Sequence, residues 1–119
     1  MNRFSIATAV AIGLALPLVR TARAADGVTV DVRLIEHRIL MPNELTAGRI
    51  AFRVMNAGSA VHGFGIEGLG FEAKFDRLLL PGETRFLQVL LKPGDYTVYC
   101  PVAGHAALGM RMTVAAISR

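Results

Sequence analysis

Val28, Val30, Val32 and Leu34 alternate with Thr29, Asp31 and Arg33. A period of two puts the apolar set on one side of an extended chain. Ile50, Phe52 and Val54 alternate with Arg49 and Arg53 in the same way, and Thr84 to Leu91 predicts another strand. His62, Phe64 and Ile66 would share one strand face, Tyr96, Val98 and Cys100 a second, and Met112, Val114 and Ala116 a third. Between these runs lie Met41-Pro42-Asn43, Ala57-Gly58-Ser59, Pro81-Gly82 and Pro93-Gly94, residue types that turn a chain. Short strands at near-regular spacing, with no long helical period, predict an all-β sandwich or small barrel. Phe71 to Leu80 fits a loop, a helical turn or an irregular edge.

The amino-terminal stretch breaks the pattern. Phe4 to Val19 is a mostly apolar run, preceded by Met1-Asn2-Arg3 and followed by Ala22-Arg23-Ala24. That layout predicts a secretory signal peptide over 1–24, cleaved after Ala24. The competing reading is a retained anchor, but the run falls short of the roughly 20 residues a spanning helix needs, and Pro17 interrupts it. The remainder, 25–119, is one domain of about 95 residues with a periplasmic destination. Arg3, Arg20 and Arg23 leave with the leader, so 10 basic side chains face 9 acidic ones and the net charge of +4 falls to +1. The basic residues that stay are scattered, which argues against a nucleic-acid partner. With the leader gone, no stable membrane association is expected.

Cys100 is the chain's only cysteine. In an exported protein an odd cysteine implies an intermolecular bridge, a reactive thiol or a metal ligand. His105 follows it by five residues and Met110 follows His105 by five. Thiolate and imidazole suit copper, and a thioether adds a weak soft ligand. A second imidazole must come from His37 or His62. His37 is out of phase with the valines before it, which predicts a solvated face, whereas His62 is in phase with Phe64 and Ile66 and should look inward. Taken singly, each residue has a plain explanation: a buried histidine bonded to a carbonyl, a core methionine, an inert buried thiol. Their joint spacing in an exported β-protein favours a metal site. Two other strings carry less. Gly63-x-Gly65-x-x-Gly68 copies a dinucleotide fingerprint, but that motif needs a helix after it and none is predicted. Met112, which would share a face with Met110, continues the core pattern of Val114.

Cys100-Pro101-Val102-Ala103-Gly104-His105-Ala106-Ala107-Leu108-Gly109-Met110 resembles the copper-binding loop of cupredoxins, the plastocyanin and azurin kind of small blue-copper protein. Met41 to Gly48, Val54 to Phe64, Pro81 to Thr84 and Lys92 to Pro101 resemble that family's other segments, so the likeness spans the mature chain. It implies a Greek-key β-sandwich or barrel of the cupredoxin type. It also implies one type 1 copper ion, with His62, Cys100 and His105 as equatorial ligands and Met110 as the axial one. The cysteine-to-histidine spacing is longer than in plastocyanins, which leaves the subfamily open. The implied function is single-electron shuttling between redox proteins by a monomer with a transient protein partner. The alternative is copper storage or delivery on the same fold. No enzyme is expected, because three histidines cannot supply the further clusters that multicopper oxidases and nitrite reductases need.

Overall fold

Alternation becomes pairing in a computed structural model that describes residues 27–119. The expected leader and the domain's first residues lie outside that range. One sheet has the order β2-β1-β4-β7, from β1 (Val28–Ile35), β2 (Arg38–Leu40), β4 (Gly48–Asn56) and β7 (Thr84–Leu91). The other has the order β3-β9-β8-β5-β6, from β3 (Glu44–Thr46), β5 (Gly65–Gly68), β6 (Phe71–Lys74), β8 (Gly94–Tyr99) and β9 (Arg111–Ile117). The described residues contain no helix, and the expected all-β sandwich is what forms.

Inward residues of both sheets make the core. Val32, Leu34, Ile50, Phe52 and Val54 come from the first sheet, and Ile66, Tyr96, Val98, Val114 and Ala116 from the second. Phe52 meets Phe64 edge-on with ring centroids 5.4 Å apart. Each fully buried side chain of this size stabilises the fold by about 1.5–3 kcal/mol. Tyr96 keeps its ring inside and donates its hydroxyl to the carbonyl of Lys92 at 2.8 Å, so its polar end is not stranded.

Two departures from the sequence pattern affect the site, and one open reading is resolved. His62 does not lie within a strand; it makes an isolated bridge to Leu79 ahead of β5, with Phe64 and Ile66 still buried beside it. Cys100 and Met110 fall just outside β8 and β9 and are tied together, Cys100 N–H donating to the Met110 carbonyl at 3.0 Å. Phe71 to Leu80 resolves into the edge strand β6 followed by an irregular return. After Gly68 the chain turns into β6 and not into a helix, which disposes of the dinucleotide string.

The register decides where the ends meet. β1 and β4 run parallel with Leu34 beside Asn56, so the turn after β1 and the loop after β4 leave the same end of the sheet. Antiparallel pairing sets Gly65 opposite Tyr99 and Tyr99 opposite Arg111. The start of β5, the end of β8 and the start of β9 therefore gather at one place.

Candidate metal centre

At that end His62, Cys100 and His105 each bring one ligand atom within 4.8 Å of the others. His62 and Cys100 are fully buried, while His105 is half-buried in the loop between β8 and β9. The Cys100 sulfur lies 3.7 Å from His105 Nδ1, and the rings of His62 and His105 have centroids 5.1 Å apart. Met110 is fully buried and its N–H donates to the His105 carbonyl at 3.0 Å. The sequence thus selected three residues that converge and a fourth whose backbone is bound to one of them.

The electrostatics suit a cation. His62 Nδ1 is buried with no hydrogen-bond partner. Native interiors rarely leave such an atom unpaired, and a bare imidazole nitrogen is a metal ligand in waiting. Burial, and then the neighbouring imidazoles of His62 and His37, hold His105 below the ordinary histidine range, which keeps it neutral. Gly63 N–H donates to the Cys100 sulfur at 3.4 Å. A Cβ on Gly63 would come within 2.8 Å of the Pro101 ring and 2.9 Å of Leu78, so only glycine lets that backbone reach the sulfur.

Asn56 organises the loop that delivers His62, and sequence reasoning passed over it. Its side chain is fully buried. Nδ2 donates to the carbonyls of Ala60 and Leu79, both at 2.9 Å, and Oδ1 accepts from Gly58 N–H at 2.9 Å. An asparagine at a strand end before Ala-Gly-Ser is a turn signal, and that was the available clue. Glu36 was also missed. Its Oε1 accepts from His62 Nε2 at 3.0 Å. That bond, then those from the Ser59 and Ala60 amides, hold the Glu36 carboxyl at about 2, well below the usual carboxylate range.

His37 corrects an expectation. It does not sit on a solvated strand face: it follows Glu36 in the two-residue turn between β1 and β2, half-buried, with φ 62°. Its ring stands edge-on to His105, centroids 5.2 Å apart. Strand phase ended at Ile35, so period-two counting could not place it.

No protein-family model matches the chain, and no curated protein does. Solved structures do. Reduced auracyanin from the photosynthetic bacterium Roseiflexus castenholzii aligns at 17% identity with TM-score 0.60, over 78% of this chain and 98% of its own. Auracyanin B aligns at 17% identity with TM-score 0.63, over 76% of this chain and 88% of its own. The copper-containing nitrite reductase of Thermus scotoductus aligns at 17% identity with TM-score 0.55, over 76% of this chain but 27% of its own. Identities this low establish the fold, and the fold is that of the cupredoxins.

Proposed function

We propose that this protein is a small type 1 copper protein that carries single electrons between redox partners. The observation that carries the proposal is the orphaned, buried Nδ1 of His62 beside the Cys100 sulfur and a neutral His105. One thiolate and two imidazoles are the donor set that selects copper among the common metals, and a buried methionine nearby suits the weak fourth position. His62, Cys100 and His105 would hold the ion, with Met110 supplying a weak further donor. A copper ion bound there would supply a one-electron Cu(II)/Cu(I) couple.

The protein's own residues would set the terms of that couple. The donors sit on short segments tied to strand ends, so their positions change little when charge changes. Gly63 N–H withdraws electron density from the sulfur, which favours the reduced state. His62, Cys100 and Met110 are fully buried, so three of the four donors are out of contact with water. His105 approaches the surface in a loop with no formal charge, where Pro101, Ala107 and Leu108 are exposed. An apolar rim of this kind suits brief docking with a redox protein. The amino-terminal leader pattern supports a periplasmic setting. The structural likeness to copper enzymes covers 27% and 42% of those chains, and among the described residues one cluster of metal-holding side chains is present. Both points favour a carrier over a catalyst.

Adding Cu(II) to the purified mature protein tests the proposal. We expect an intense thiolate-to-copper band, narrow copper hyperfine splitting, and loss of both in Cys100→Ser. A pale, ordinary Cu(II) spectrum in the wild-type protein would contradict it. Fast copper loss to a chelator together with slow electron self-exchange would favour copper delivery instead.

A further inference from the structure

The turn between β1 and β2 is two residues long, and each residue meets a different histidine of the cluster. His37 stands edge-on to His105. Glu36 touches His62 at the nitrogen remote from the pocket. Parallel pairing of β1 with β4 is what brings this turn against the His62 loop.

A carboxylate can only accept a hydrogen bond, so the 3.0 Å contact requires the hydrogen on His62 Nε2. The opposite tautomer would set two lone pairs against each other there. It would also place an N–H on Nδ1, which has no acceptor among its neighbours. Both faults are costly for a ring that is fully buried.

Glu36 is itself held firmly. Its two oxygens accept from Ser59 N–H at 2.9 and 3.1 Å, from the Ser59 hydroxyl at 3.1 Å and from Ala60 N–H at 3.2 Å. Room for the carboxylate exists because position 58 is glycine: a Cβ there would lie 2.1 Å from Glu36 Oε1.

We infer that Glu36 is the positioning residue for His62, its carboxylate fixing the tautomer in which Nδ1 carries a bare lone pair inside the pocket. Only a bare nitrogen can bind a metal, so the ring is set for a ligand before one arrives. The negative charge at Nε2 also makes Nδ1 a stronger donor and favours the more highly charged Cu(II) over Cu(I). That consequence for copper rests on the function proposed above; the tautomer does not.

Two variants and two measurements test the inference. Glu36→Ala removes acceptor and charge, while Glu36→Gln keeps one acceptor oxygen for the ring and the Ser59 and Ala60 amides and loses the charge together with the acceptor that faces the Ser59 hydroxyl. In metal-free protein, nitrogen-15 spectra of the His62 ring should show the Nε2–H tautomer alone in the wild type and a mixture in Glu36→Ala. Cu(II) affinity of Glu36→Ala should fall about 10–100-fold. Glu36→Gln should keep the tautomer while its reduction potential rises, by about 59 mV for each tenfold loss of Cu(II) affinity relative to Cu(I). A residue that merely anchored the loop would leave the potential of Glu36→Gln at the wild-type value. An unaltered tautomer in Glu36→Ala would overturn the inference. Wild-type protein that takes up no copper would instead overturn the copper reading, and the metal-free spectra would still decide the role of Glu36.

Discussion

The loop that carries His105 is tied mainly to itself, whereas the loop that carries His62 is tied to distant parts of the chain. Between Val102 and Met110 the backbone closes on its own near neighbours: His105 N–H to the Val102 carbonyl at 3.0 Å, Gly109 N–H to Ala106 at 3.1 Å, Met110 N–H to His105 at 3.0 Å. Its surface is exposed and uncharged. The loop from Ala57 to Val61 is held by two side chains, Asn56 from below and Glu36 across a sequence gap of more than 20 residues. One imidazole is placed by a local motif and the other by the fold. Damage should therefore travel differently through the two halves of the site.

The largest effect should come from Asn56. Asn56→Ala deletes three hydrogen bonds of a fully buried side chain, and the Leu79 carbonyl that loses one of them also receives the His62 N–H. We expect metal-free protein to lose about 2–4 kcal/mol in urea denaturation, with copper binding weakened as well. A loss as small as that of a typical surface substitution would mean that the loop holds itself, as its counterpart does.

A smaller effect should appear in acid. The folded-state carboxyl of Glu36 titrates at about 2, below the ~4.3 of an unfolded glutamate. A depressed folded value contributes stability that is fully present above the unfolded value and is lost as pH falls through the folded one. Thermal denaturation of metal-free protein between pH 5 and pH 2 should therefore show a steeper decline in the wild type than in Glu36→Gln. Parallel curves would detach Glu36 from the His62 loop.

The self-contained loop should tolerate change best. Leu108 is 63% exposed, so Leu108→Asp should alter stability by no more than about 0.5 kcal/mol and leave the copper spectrum intact. Electron exchange with the proposed redox partner should slow, because a charge would enter the apolar rim. Unchanged exchange would move the docking surface elsewhere.

The same contrast explains what could be read in advance. Thr84 to Leu91 was visible as a strand in full because one face is covered and the other open. Cys100, His105 and Met110 were visible because their arrangement is local. His62 was found through its phase with Phe64 and Ile66, although it lies in a bridge and not in the strand itself. The three-residue strands β2 and β3 offer too few positions for a period to register. β6 is a four-residue edge strand in which only Phe71 and Ala73 are half-covered and Glu72 and Lys74 are exposed, so its apolar signal was weak. Glu36 acts through a contact made by strand register, which no spacing along the chain encodes; Asn56 reaches Leu79 across the fold in the same way, although its bonds to Gly58 and Ala60 are local. The remote half of the site became legible only once β1 was seen to run parallel to β4.

The proposed function requires this end of the sandwich to hold copper through Cys100, His62 and His105. X-ray absorption at the copper edge of the loaded protein tests it most directly. We expect one short copper–sulfur distance and two imidazole nitrogens, with the sulfur lost in Cys100→Ser and one nitrogen lost in His62→Ala. A shell of oxygen and nitrogen alone, unchanged in both variants, would contradict it.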